Sequence, residues 1–151
     1  MTENIPPGFE RHFRKSPVTD PWEPLYSRRD GDMFCLGLRI AKSHCNARGM
    51  LHGGVISALA DNALGISCVL QAENMSALTI NLSTDFLSTA NQGEWLEVRA
   101  EPSKVGRTIA FAQAAILSND ILIARASGVF KMIARGKTQA TEFDVPSPEN
   151  L

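Results

Sequence analysis

Asn46, His52, Gly53, Gly54 and Asp61 fall in one short stretch, NARGMLHGGVISALADNALG (residues 46–65). Two glycines opening a helix leave backbone N–H groups accessible at its positive end. That is a place for a carbonyl oxygen that becomes an oxyanion. A turn that needs glycine for its backbone angles would explain the same pair. Asp61 lies about two turns further on, too far to cap that helix. A carboxylate inside an apolar helix is costly unless something uses or satisfies it. Taken alone, the glycine pair is better read as that turn; for Asp61 a functional role is preferred to a satisfied structural one, with the carboxylate placed to do general-base work.

Other chemistries are disfavoured by spacing. His52 has no metal partner, since His12 and His44 make no H-x-x-x-H pattern. Cys35, Cys45 and Cys68 make no C-x-x-C pair and read as reduced thiols. Ser57 lacks the G-x-S-x-G surroundings of a nucleophile elbow. There is neither a P-loop nor a G-x-G-x-x-G, so cofactors held by those motifs are not expected. No metal and no cofactor is predicted.

The elements that must position these residues can be read from periodicity. Residues from about Gly54 to Gln71 form a helix that is apolar almost all round and therefore buried. Ser57, Asp61 and Gly65 follow at i, i+4, i+8, beside Gly54 and Ala58. They make one stripe of small groups where another chain or a ligand can come close. Met33–Ile40 reads as a strand after the turn Asp30-Gly31-Asp32. Beyond Asn74, residues 76–86 place Leu78, Ile80, Leu82, Thr84 and Phe86 at strand period. Strands over 95–105, 108–117 and 121–132 follow, broken at Gly106-Arg107 and Asn119-Asp120. Short breaks between long strands indicate an antiparallel meander. The expectation is an α+β domain, with an antiparallel sheet wrapped round one long buried helix.

That domain is expected over 31–135. Residues 1–30 read as an arm with a short helix near 7–15, pinned to the body by Trp22 and Tyr26. Residues 136–151 read as a polar tail. The chain has 151 residues, 44% hydrophobic and 21% charged, with a formal net charge of -1. These values suit one soluble domain and argue against a nucleic-acid partner, which would call for a basic excess. No signal-like N-terminus and no long apolar run is present, so a cytoplasmic protein without membrane association is expected.

The pattern Asn46-x5-His52-Gly53-Gly54-x6-Asp61, on a helix after one strand and before four, resembles the hotdog-fold acyl-CoA thioesterases. More specifically it resembles the PaaI-like, phenylacetate-pathway branch. "PLYSRRDGDMFCLGLRIAKSHCN", "LTINLSTDFL" and "SKVGRTIAFAQAAI" extend the likeness over residues 24–133. The resemblance implies that Asp61 activates water or attacks the thioester carbonyl. It implies that the Gly53 N–H receives the thioester oxygen, and that His52 and Asn46 shape and polarise the pocket. Thr79 stands where the branch often has Ser or Thr to help hold the water. The resemblance also splits the site between subunits. Asn46, His52 and Gly53 of one chain would face Asp61 and Thr79 of another, in a homodimer that pairs into a homotetramer.

Relatives commonly carry a basic residue and Pro after the "FL" of that strand, whereas this chain has Ser88-Thr89. Lys104 and Arg107 therefore become the candidates for the CoA phosphates, with Arg28-Arg29 next. Two rival readings remain at this point. One is a hotdog hydratase or dehydratase, which the H-G-G helix entry disfavours. The other is a non-catalytic acyl-CoA-binding protein, which would have no need of Asp61.

Overall fold

A computed structural model describes residues 4–135. The tail predicted over 136–151 lies outside the described residues. Seven strands form a single antiparallel sheet: Glu10–Arg11 (β1), Tyr26–Asp30 (β2), Met33–Arg39 (β3), Met75–Phe86 (β4), Trp95–Val105 (β5), Ile109–Ser118 (β6) and Ile121–Ala134 (β7). Their order is β1-β2-β3-β5-β6-β7-β4. One helix, Gly53–Val69 (α1), lies across a single face of that sheet. This is the predicted sheet wrapped round a buried helix.

The sheet accepts the helix because its inner face is built from small groups. Ala110, Ala112, Ala114, Ala124 and Ala126 are all buried, and Gly128 continues the β7 row. A Cβ at Gly128 would lie 2.6 Å from the Phe130 ring and 3.3 Å from Leu64 of α1. Leu59, Ala63 and Leu64 are almost fully buried in the core they share with Leu36, Leu96 and Val98. Burying each large aliphatic side chain contributes about 1.5–3 kcal/mol.

The N-terminal segment departs from expectation. No helix forms at 7–15. Gly8 takes a positive φ of 83°, and Glu10–Arg11 pairs with Tyr26–Ser27 of β2 as a short strand. The aromatic side chains pull this segment out along the sheet. Phe9 meets Trp95 edge-on at 5.2 Å, and Tyr26 lies 5.9 Å from the same ring. Arg28 stacks over Phe9 at 5.0 Å, and Arg39 over Trp95 at 5.3 Å. Residues 26–30 are thus a strand of the domain. Glu97, buried beneath them, accepts from Arg28 at 3.0 Å and from Arg99 at 2.8 Å.

Two buried histidines hold the arm further along. His12 packs against Phe13 and Phe34, and among the described residues neither ring nitrogen has a hydrogen-bond partner. His44 accepts from the Ala41 N–H at 2.8 Å through Nδ1, while its Nε2 lies 3.3 Å from the Trp22 carbonyl. Burial pushes both rings below the ordinary histidine pKa. For His12 the Glu23 charge opposes that shift and Arg14 adds to it. The unfolded chain therefore takes up these protons near pH 6.5 while the folded chain resists them. Above that pH both states are neutral and the two rings contribute no pH dependence. As pH falls from about 6.5 toward the folded values, stability is lost. Thermal melts should show Tm dropping on acidification through this window. His12→Leu, which removes one of the two protons, should flatten the drop; an unchanged slope would contradict this account.

Candidate active site

Helix α1 begins one residue earlier than predicted, and His52 is its N-cap. The His52 backbone is extended, and its Nδ1 accepts from the Gly54 N–H at 2.8 Å. The Val55 and Ile56 N–H groups go to the His52 carbonyl, at 3.0 and 3.2 Å. Gly54 is therefore not an open donor, contrary to the reading of both glycines as free. Among the described residues the Gly53 N–H has no acceptor, and it stands at the helix's positive end. With Nδ1 accepting, the neutral His52 ring carries its proton on Nε2, which makes that nitrogen a second donor at the same helix end. The ring of Phe86 covers this position: a Cβ on Gly53 would lie 3.2 Å from it.

Asn46 organises the loop that delivers His52. Its side-chain oxygen accepts from the N–H groups of Arg48 at 2.9 Å and Met50 at 3.2 Å. Its backbone N–H donates to the Met50 carbonyl, and the His52 N–H to that of His44. Asn46 thus fixes the approach to the helix start through its own turn.

Asp61 and Thr79 are brought together. The Thr79 hydroxyl donates to Asp61 Oδ1 at 2.7 Å, a short charge-assisted bond. A bulge in β4 makes this possible. The register of β4 on β7 shifts between Thr79 and Asn81, leaving Ile80 as the extra residue. Thr79 then faces α1, as do Leu82 and Thr84 beyond the bulge, with Thr84 3.4 Å from the Ser57 hydroxyl. Leu78 and Ile80 turn outward, 42% and 55% exposed. The single five-residue face predicted for this strand is therefore broken in the middle. Bulges beside functional sites commonly re-aim a side chain in this way, and a strict period of two cannot reveal one.

A groove of about 290 Å³ runs beside Asp61. Ala58, Asp61 and Gly65 of the small-residue stripe line it together with Asn62, and so do Ser76, Ala77 and Thr79 of β4. Arg14, Ser16 and Val18 of the N-terminal arm also line it, in keeping with an arm longer than the domain needs and expected to cover part of the acyl pocket. Lys104 pairs with Phe111 on the sheet face opposite α1, given that the neighbouring pair Val105–Ala110 faces inward. Arg107 borders a separate cavity with Gln71, Ala72 and Met75, just past the C-terminal end of α1. Neither residue is brought to Asp61. Among the described residues no cluster of His, Cys, Asp or Glu could hold a metal ion, and no helix is long and apolar enough to cross a membrane.

Asp61 and Gly53 of one chain do not address the same atom. Eight residues along a helix at 1.5 Å per residue separate them by about 12 Å. A hydrogen-bonded carboxylate and an open helix-end N–H suit attack on an activated carbonyl, but in one chain they are too far apart to share it.

The chain belongs to the thioesterase superfamily, whose family model it matches over residues 48–124, and is thereby a thioester hydrolase. It is 40% identical over 131 residues to a Pseudomonas aeruginosa protein that is an esterase by name, covering 85% of this chain and 98% of that one. Over 113 residues it is 27% identical to human acyl-coenzyme A thioesterase 13, covering 75% and 74% of the two chains. Two solved structures share the fold. A mutant of the phenylacetic acid degradation protein PaaI from Thermus thermophilus superposes with a TM-score of 0.69 at 20% identity, covering 77% of this chain and 98% of that one. A hypothetical thioesterase from Streptococcus pneumoniae, solved with coenzyme A, gives 0.67 at 20% identity, covering 75% and 91%.

Proposed function

We propose that this protein is an acyl-CoA thioesterase of the PaaI-like branch, with each site shared between two copies of the chain. The observation that carries the proposal is the spacing just described. Asp61, oriented by Thr79 at 2.7 Å, and the open Gly53 N–H lie on one helix but too far apart to act together. A second copy supplying Gly53, His52 and Asn46 to the first copy's Asp61 and Thr79 resolves this.

The chemistry follows from the groups present. Asp61 takes a proton from a water molecule held with the help of Thr79, and the water oxygen bonds to the thioester carbon. The carbonyl oxygen becomes an oxyanion, stabilised by the Gly53 N–H and the helix end behind it. Collapse of the intermediate breaks the C–S bond. The thiolate of CoA leaves, is protonated with the proton Asp61 took, and the free acid remains. No cofactor takes part in these steps.

Release of free thiol from a panel of acyl- and aryl-CoAs tests the proposal. Hydrolysis of at least one class is expected. Binding without thiol release would make the protein a non-catalytic acyl-CoA binder, and a change at the α and β carbons would make it a hydratase.

We assign the CoA phosphates to Arg107, at the cavity beyond the helix end, and to Lys104 on the neighbouring strand. Both are exposed, and a polyanion approaching a nearly neutral protein needs a local basic patch. Replacing both should raise KM for acyl-CoA and weaken its salt dependence, with kcat almost unchanged. An unaltered KM would remove the pair from the site.

A further inference from the structure

The groove beside Asp61 has a cation that the proposed hydrolysis does not use. Arg14 lines it, and among the described residues Arg14 makes no salt bridge. The arm that carries it is held in place on both sides. Upstream, Phe9, Tyr26 and Trp95 interlock, and Arg11 stacks over Tyr26 at 5.6 Å. Downstream, Trp22 packs on the main core and faces His44. Between these anchors the His12 ring is buried, and its backbone N–H donates to the Leu25 carbonyl at 2.9 Å. A segment fixed at both ends presents Arg14, Ser16 and Val18 to the groove rather than to bulk solvent alone.

Polar and apolar groups are mixed along this groove. Asn62, Ser16 and Ser76 offer an amide and two hydroxyls, while Val18, Ile66 and Val69 offer hydrocarbon. Basic character continues past Arg14. A separate cavity, about 460 Å³, is lined by Arg11, Arg28 and Arg29 against the single carboxylate of Glu10, together with Phe13 and Phe34. Phe13 is 68% exposed, although the arm around it is well packed. Arg11 and Arg28 already have carboxylate partners, Glu23 at 3.8 Å and Glu97 at 3.0 Å. Among the described residues Arg14 and Arg29 have none, and of these two only Arg14 lines the Asp61 groove.

We infer that Arg14, held against the Asp61 groove by the N-terminal arm, binds an anionic group of the substrate. The inference rests on the acyl-thioester reading of Asp61. A substrate seated at Asp61 can supply that anion from two sources. One is a carboxylate at the far end of a dicarboxylic acyl group; the other is a phosphate of CoA. Arg suits either, because its planar fork can make two parallel hydrogen bonds to a carboxylate or a phosphate.

The test compares hexanoyl-CoA with adipyl-CoA, and each with its N-acetylcysteamine thioester, which carries no phosphate. Wild type is measured against Arg14→Gln and Arg14→Lys. Arg14 is exposed and among the described residues makes no salt bridge, so both variants should fold with unchanged Tm. Losing a hydrogen bond to a charged group should raise KM about tenfold or more with little change in kcat, and Lys should restore part of the loss. A loss confined to the two adipyl thioesters assigns the anion to the acyl carboxylate. A loss on both CoA thioesters, with the N-acetylcysteamine thioesters unaffected, assigns it to a CoA phosphate. Equal KM values for wild type and Arg14→Gln on all four would overturn the inference. The same substrates bound to Asp61→Asn chains with and without Arg14→Gln, followed by calorimetry, separate this from the reading beneath it. A wild-type protein that hydrolyses none of the four would count against the thioesterase, while the binding difference would still decide the role of Arg14.

Discussion

Asp61→Asn should lower kcat by about two to four orders of magnitude, the usual contribution of a general base, while leaving fold and acyl-CoA binding intact. Asparagine keeps the size of the side chain and an oxygen that can still accept from the Thr79 hydroxyl, now 2.7 Å away. What it removes is the capacity to take a proton from water. Asp61 makes no salt bridge among the described residues, so no buried cation is stranded by the change. Asp61→Ala should also fold, because removing a charge from a partly buried site is often neutral for stability. Steady-state turnover and melting temperature together separate the roles. Near-wild-type kcat in Asp61→Asn would take Asp61 out of the mechanism. Unfolding of Asp61→Ala would make it a structural residue.

The second large effect concerns assembly. A single 16.4 kDa chain should have essentially no activity, because its Gly53 and Asp61 cannot reach one carbonyl. The β4 edge supplies independent support for a partner. Among the described residues this strand of 12 residues is paired with β7 alone, and along or beside it Leu78, Ile80, Phe86 and Leu87 are 42%, 55%, 53% and 54% exposed. A long, apolar, unpaired edge left bare invites association, and native proteins normally cover or charge it. We therefore propose a homodimer as the smallest active form, itself paired into a homotetramer. Light scattering should return a mass of at least two chains, and specific activity should fall on dilution as the assembly dissociates. Full activity at monomer mass would contradict both statements.

Much of this was legible in the sequence for reasons that are local. The buried helix announced itself because hydrocarbon on every side has only one physical remedy. Asp61 stood out because nothing nearby in the chain could satisfy it. The hairpin breaks at Gly106-Arg107 and Asn119-Asp120 marked strand ends, and Asn119 and Asp120 indeed take positive φ values of 45° and 65°. What could not be read depended on partners distant in the chain. Residues 26–30 read as part of an arm, yet they form a strand paired with β3, and Arg28 on it reaches Glu97 some seventy positions on. The bulge at Ile80 obeys no composition rule; it is fixed by the pairing of β4 with β7. Gly53 and Gly54 looked equivalent until the His52 ring took one of their two N–H groups. That the arm is pinned through Tyr26 was legible, but its partners Phe9 and Trp95, which meet it across the sheet, were not.

The central claim is that Asp61 of one chain works with Gly53 and His52 of another, and mixing two inactive chains tests it most directly. Asp61→Ala keeps the helix end and loses the base. His52→Ala keeps the base and loses the cap and donor at the helix end. Each variant alone should be nearly inactive. When the two are mixed and allowed to exchange subunits, each mixed dimer should contain one site with both intact halves and one with neither. Thiol release from acyl-CoA should therefore recover to a substantial fraction of wild type, rising as exchange proceeds. No recovery after subunit exchange has been verified by mass would contradict the claim, and would return the whole site to a single chain.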